Sequence, residues 1–220
     1  MADERASVLG ASQPFVLPDE ETQARLEVEN GLRQFDRVLQ LIEEGVAGRF
    51  RLRPSQMLTL NRLAVEGLVE KPGSFRLNSI EIFGSKHQPP ECIHVPELVD
   101  ELCEYVNDHW VDRTPLHLAS YVMWRVNWIH PFEDGNGRTS RAASYLVLCV
   151  KLGFRLPGAR TIPERIVGNK FPYYAALDAA DAAWRRGALD VSKMESLLAD
   201  HLASQLVDII TAAGGKKSLR

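Results

Sequence analysis

Two apolar helices joined by a short polar turn constrain this chain more than any other feature. Thr114-Pro115 is a helix start, a capping hydroxyl followed by proline at the first helical position. Val122, Val126 and Ile129 carry that helix to His130. Pro131 limits it, because proline disfavours helical geometry in the residue before it. Thr139 to Leu152 is apolar almost all round (Ala142, Ala143, Leu146, Val147, Leu148, Val150), the character of a buried central helix. Between the two lies His130-Pro131-Phe132-Glu133-Asp134-Gly135-Asn136-Gly137-Arg138-Thr139-Ser140-Arg141. A turn mounted between two core helices holds its side chains more rigidly than a free loop does.

The residue types on this turn belong to phosphate chemistry. A glycine-rich turn running into a helix leaves backbone N–H groups free to point at an anion. Two arginines add fixed positive charge and forked donors suited to phosphate oxygens. A carboxylate suits Mg²⁺, which takes one or two carboxylates together with substrate phosphates. Histidine is the side chain most readily poised as a proton acceptor near neutral pH. Singly these features mean little: Gly-Asn-Gly is usually just a turn, and a histidine after a helix is usually structural. Together they describe a phosphate-transfer site with its own base.

The rest of the chain reads as mostly helical. Residues 1–18, small and polar with Pro14 and Pro18, are expected to form a mobile arm. Residues 19–50 form a helical extension: Leu26, Leu32, Phe35, Val38, Leu39 and Ile42 recur at helical spacing over 20–45, until Gly45 and Gly48 break the pattern. A main domain is expected over 51–213. Pro54-Ser55 opens its first helix, with Leu58, Leu60, Leu63 and Val65 on the apolar face, and Pro72-Gly73 stops it. The alternation through Leu77 and Ser79-Ile80-Glu81-Ile82 suits a β-hairpin. Pro96 begins a helix with Leu98, Leu102, Tyr105 and Val106 on one face, and Val191 to Ala213 is an amphipathic helix. Residues 214–220 are expected to be a frayed tail.

Composition excludes more than it assigns. A net charge of −3 over 220 residues implies no broad basic surface for nucleic acid. Trp110, Trp124, Trp128 and Trp184 are expected to pack core or groove rather than to stack bases. No apolar run has the length of a membrane span, and Met1 to Gly10 has no secretory signal pattern, so a cytoplasmic protein with no membrane partner is expected. Cys92, Cys103 and Cys149 are few and widely spaced, as reduced thiols are. His94, His109, His117 and His201 are scattered without ligand spacing, which disfavours a metal-dependent phosphohydrolase.

The turn also resembles the signature of Fic-domain proteins, the Fic/Doc family: His-x-Phe-x-(Asp/Glu)-Gly-Asn-Gly-Arg-x-x-Arg. Each specified position is filled, by His130, Phe132, Asp134, Gly135, Asn136, Gly137, Arg138 and Arg141. Ser74-Phe75-Arg76 and the stretch Ile80 to Pro90 resemble the family's flap and the segment after it, and Asn169 to Asp181 is similar to its nucleotide-side helix. The resemblance implies a mainly α fold, a Fic-type helical bundle with a short β-hairpin flap over the active site. The implied activity is protein adenylyltransfer: AMP passes from ATP to a Ser, Thr or Tyr hydroxyl of a target protein.

By the same resemblance His130 is the general base and Asp134 holds Mg²⁺ on the phosphates. Gly135 and Gly137 admit the phosphates closely, Asn136 donates to the α-phosphate, and Arg138 and Arg141 neutralise the leaving pyrophosphate. Phe132 is an apolar anchor, and Glu133 is given no role. Tyr173, Tyr174 and Asp181 map to the adenine side. Ile80, Glu81, Ile82 and Phe83 would pair with an extended segment of the target by strand addition, while His87 is expected to be a loop histidine. Doc-type kinases carry lysine at the position of Gly137, so glycine favours AMP transfer over phosphate transfer.

Many family members carry an inhibitory (Ser/Thr)-x-x-x-Glu-(Gly/Asn) segment. Arg25 to Asn30 and Arg62 to Gly67 match it in part, each with arginine in place of the hydroxyl residue. Glu29 is the better inhibitory candidate, and Glu66 is read as coincidental. The alternatives are transfer of UMP or phosphate, de-AMPylation, or a non-catalytic partner-binding module. A homodimer, an antitoxin or inhibitor, and the target itself are left open.

Overall fold

The computed structural model describes residues 15–48, 50–158 and 160–214. The arm expected over 1–18 and the tail expected over 214–220 lie largely outside the described residues. Eight α-helices follow one another: α1 Glu20–Ala47, α2 Pro54–Val65, α3 Val95–Asp108, α4 Pro115–Ile129, α5 Asn136–Leu152, α6 Ile162–Gly168, α7 Phe171–Trp184 and α8 Ser192–Gly214. A 3₁₀ turn, Cys92–His94, leads into α3. The mainly α bundle expected of the chain is what the described residues adopt, without the expected hairpin.

The antiparallel pair α4–α5 is the centre of the molecule. Leu118, Val122, Val126 and Ile129 of α4 and Ala143, Leu146, Val147 and Cys149 of α5 are buried, and the other helices wrap them. Helices so apolar on every side have no solvent face to lose, and their burial supplies the main driving force for the fold. Thr114 caps α4 as expected, its hydroxyl accepting from His117 N at 3.1 Å. α1 and α2 pack on the α5 side, and α3, α7 and α8 pack on the α4 side.

Three local expectations are corrected, and one helix is added. Gly45 does not break α1: it lies inside the helix, where an added Cβ would stand 2.8 Å from Val150 Cγ2. The glycine serves close approach to α5, not termination. α2 ends at Val65, well before Pro72-Gly73, and its buried face is Met57, Leu60, Asn61, Ala64 and Val65, with Leu58 and Leu63 only half-buried. α6, whose Thr161 start is reciprocally capped by Glu164, was not foreseen. Among the described residues there is no strand, so the expected hairpin flap is not seen. Residues 77–83 are an irregular extended loop closed by a turn in which Ser85 N–H donates to Ile82 O. Leu77 and Phe83 are exposed and Ile80 and Ile82 only half-buried, and an isolated pair of short strands is marginal in water.

Trp124 is fully buried, and the indoles of Trp128 and Trp184 flank the guanidinium of Arg125 at 4.3 and 4.8 Å. These three tryptophans pack as expected of core and groove residues. Cys103 and Cys149 are buried thiols whose pKa burial pushes up to about 12 and about 11. No helix among the described residues is long and apolar enough to cross a membrane.

Candidate active site

His130 is the C-cap of α4 and the single non-glycine residue with positive φ among those described (φ 50, ψ 60). A left-handed backbone at a non-glycine residue costs about 1–3 kcal/mol and persists where its surroundings over-determine it. Its Nδ1–H donates to Asn127 O at 3.3 Å, which leaves Nε2 with its lone pair. Burial pushes the imidazole pKa down to about 4, with the charges of Arg76 and His87 adding to the effect and Asp134 opposing it. A neutral imidazole with an unprotonated Nε2 is a proton acceptor throughout the physiological range.

The turn after His130 is held by its own asparagine. Asn136 is buried, accepts from Phe132 N–H at 3.0 Å and donates to Phe132 O at 2.8 Å. This side chain, expected to donate to a phosphate, is engaged in closing the turn. Phe132 is the expected apolar anchor, buried and stacked on Phe75 with centroids 5.9 Å apart. Gly135 has φ 77, and a Cβ there would stand 2.6 Å from Val65 Cγ1, so only glycine allows both this turn and the approach of α2. Asn61 of α2 braces the other side. It donates to Asp134 O at 2.8 Å and accepts from Gly73 N–H at 3.1 Å. Sequence reasoning missed Asn61; the signal was a polar residue in register with Met57, Leu60 and Ala64 on a buried face.

Arg138 and Arg141 project from one face of the first turns of α5, three residues apart. Arg138 donates to Asp134 Oδ2 at 2.6 Å and to Ala64 O at 3.0 Å. Burial lowers the pKa of Arg141, and the Tyr173 hydroxyl opposes that shift. A Cβ on Gly137 would come within 3.2 Å of Arg141 Nη1, so a larger residue there would displace that guanidinium.

Both arginines open into a cavity of about 410 Å³ between α1, α5 and α6, whose wall includes Glu27, Phe35, Tyr145 and Glu164. His130 does not line it, so the cavity belongs to the arginine end of the site. Glu27 lines it and stands 3.9 Å from Arg138 Nη1. Glu29 is engaged elsewhere, with Arg25 at 3.1 Å. Glu66 is held by Arg33 at 2.7 Å.

The residues expected on the adenine side are spread out. Tyr173 is buried under α5, its hydroxyl accepting from Asn127 Nδ2 at 2.8 Å and lying 3.4 Å from Ser140 Oγ. Tyr174 is half exposed. Asp181 accepts from Trp124 Nε1 at 2.8 Å and faces His87 Nδ1 at 3.7 Å, so its carboxylate is already used within the fold. His87, expected to be a loop histidine, is one, tied by Nε2–H to Trp128 O at 2.7 Å. In the flap stretch Ile80 and Ile82 are half-buried, whereas Glu81 and Phe83 are exposed.

Among the described residues no cluster of three or more metal-ligating side chains exists. Asp134 lies on the rim of the turn with an exposed carboxylate, one oxygen of which accepts from Arg138. That donor set fits Mg²⁺, which keeps waters and phosphate oxygens in its shell, and not a metal held by protein alone.

Residues 51–148 match the Fic/DOC family model. Over 115 residues the chain is 30% identical to the protein adenylyltransferase Fic of Drosophila persimilis, covering 51% of this chain and 22% of that protein. It is 34% identical over 71 residues to a probable protein adenylyltransferase of Aquifex aeolicus, covering 32% and 22% of the two chains. The chain thus matches about a fifth of the length of these relatives. The fold is similar to a Fic family protein from Desulfovibrio desulfuricans (TM-score 0.66, 24% identity, 89% of this chain and 56% of that one). It is likewise similar to a Fic domain containing signaling protein from Bacteroides thetaiotaomicron (TM-score 0.69, 21% identity, 88% and 76%). The motif of His130 to Arg141, the family match over residues 51–148 and this shared fold agree in their likeness to the Fic/DOC family.

Proposed function

We propose that this protein is an adenylyltransferase that moves AMP from ATP to a hydroxyl side chain of a target protein. The observation that carries the reading is His130 itself. Its imidazole is half-buried and neutral, its Nδ1 is spent on Asn127, and its Nε2 is free at the mouth of a turn that ends in Arg138 and Arg141. His130 Nε2 takes the proton of the incoming hydroxyl as that oxygen bonds to the α-phosphorus. The bond from this phosphorus to the bridging oxygen breaks, and pyrophosphate leaves with its charge against Arg138 and Arg141. Such transfers depend chiefly on positioning and charge stabilisation.

Backbone N–H groups at the start of α5 and the guanidinium groups bind the phosphates, Asn136 fixes the turn that presents them, and Gly135 and Gly137 admit the nucleotide closely. Asp134 would hold Mg²⁺, which when bound neutralises phosphate charge. Tyr173 positions Arg141, and Tyr174 is the exposed candidate on the adenine side. Ile80 to Phe83, with no strand beside them among the described residues, are free to take a target segment as an added strand. Of the carboxylates on α1, Glu27 and not Glu29 is placed to restrain the arginines. The domain carrying this activity is 51–213, with 19–50 supplying α1 as one wall of the cavity. Incubation of wild type and His130→Ala with ATP labelled on the α-phosphate and a cell lysate tests the reading. Label on protein with the wild type alone is expected. No label with ATP, and label with another nucleotide, would replace the donor.

A further inference from the structure

Arg76 lies in the loop between α2 and α3, remote in sequence from the turn, yet its side chain is only 2% exposed. Among the described residues it pairs with no carboxylate; all its partners are backbone carbonyls. Nε donates to His130 O at 2.8 Å, Nη1 to Asn78 O at 2.9 Å, and Nη2 to Pro90 O and to Ile129 O, the latter at 3.4 Å. Its own backbone N–H donates to Pro131 O at 2.9 Å. His87, from the same loop, donates to Trp128 O at 2.7 Å. Four consecutive carbonyls, Trp128 to Pro131, are therefore capped from this loop, three of them by Arg76. Helix-terminal carbonyls lack intrahelical partners, and a cation is favoured at a helix C-terminus.

We propose that Arg76 is the positioning residue of this site: one guanidinium sets the left-handed backbone of His130 and fastens both ends of the 78–90 loop over it. The imidazole itself has a single long hydrogen bond, to Asn127. Its direction is therefore inherited from the backbone that Arg76 holds. Only a planar fork reaches carbonyls on two segments at once; a lysine ammonium presents its donors from one point. The same contacts make the loop and the catalytic turn one body, so a target segment pairing with Ile80 to Phe83 meets an imidazole at fixed distance. The catalytic consequence rests on the function proposed above; the structural one does not.

The test uses the full chain and the variants Arg76→Lys and Arg76→Met. Hydrogen–deuterium exchange is expected to quicken by about tenfold or more in 77–90 and 129–134, with α1, α5 and α8 unchanged. The His130 ring resonances are expected to shift in both variants. In label transfer kcat should fall by about 10²-fold, with KM for Mg-ATP within about threefold, and Arg76→Lys should do no better than Arg76→Met. Exchange that quickens evenly over all helices would make Arg76 a general structural pin and overturn the proposal. So would Arg76→Lys with wild-type exchange and wild-type kcat. A wild type that transfers no nucleotide, while the variants show the localised exchange and ring shifts, would overturn the adenylyltransfer reading and leave the positioning role standing.

Discussion

The two ends of α4 carry histidines of opposite character. At the N-terminal end His117 has both ring nitrogens engaged: the Tyr105 hydroxyl donates to Nε2 at 2.9 Å, and Nδ1–H donates to Glu195 Oε1 at 2.7 Å. At the C-terminal end His130 has one bond of 3.3 Å and an open Nε2, on a backbone that is itself strained. The first histidine joins α3, α4 and α8 and has no valence left for chemistry. The second gives up that stabilisation and retains a lone pair. Fold and function compete for the same hydrogen-bonding capacity, and the under-satisfied end is the reactive one.

The largest effect expected from this contrast is at His130. His130→Ala should lower label transfer by about 10³-fold, within the range for loss of a general base, while the melting temperature stays close to wild type. The opposite split is expected at the other end. His117→Ala leaves Glu195 and Tyr105 without their partner, and should cost about 1–3 kcal/mol in urea unfolding with transfer per folded molecule unchanged. If His117→Ala abolished transfer at unchanged stability, the contrast between the two ends would be wrong.

A pH series sharpens it. The folded His130 pKa of about 4 lies below the ordinary 6.5. Above about pH 6.5 neither state binds the proton. As pH falls toward 4 the unfolded chain binds it and the folded chain does not, so stability is lost through that window. The stability of wild type minus that of His130→Ala should therefore fall by on the order of 2 kcal/mol between pH 7 and 4.5. Transfer should show no acid limb near pH 6.5. A flat difference curve would mean that the imidazole is solvated.

The ends of α4 also differ in how far sequence exposes them. Thr114-Pro115 and the complete motif after His130 are local signals, and the structure puts a cap and a turn at those places. The braces are non-local. Asn61 reads as an ordinary polar residue in a helix, and Arg76 as a loop charge, until folding brings Asp134 and His130 against them. Asn136 was legible as a site residue, but its actual partners, the backbone groups of Phe132, follow from turn geometry that residue types do not encode. The hairpin failed for a related reason: alternation signals a strand, but a strand needs a partner, and none among the described residues lies along this loop.

The smallest effect separates the two carboxylates of α1. Glu27 and Glu29 stand two residues apart, so they point to different sides of the helix. Glu27 shares the cavity with Arg138 and Arg141, whereas Glu29 turns to Arg25. A pair separated by 3.9 Å with an exposed carboxylate is worth well under 1 kcal/mol. Glu27→Ala should accordingly tighten Mg-ATP binding by only about two- to fourfold, measured by calorimetry on the full chain, and Glu29→Gly should leave it unchanged. Raised salt should shrink the Glu27 effect, because screening weakens an exposed ion pair more than it weakens packing. If Glu29→Gly had the larger effect, α1 would have to turn about its axis when nucleotide binds, and the cavity wall would then be a moving part of the site.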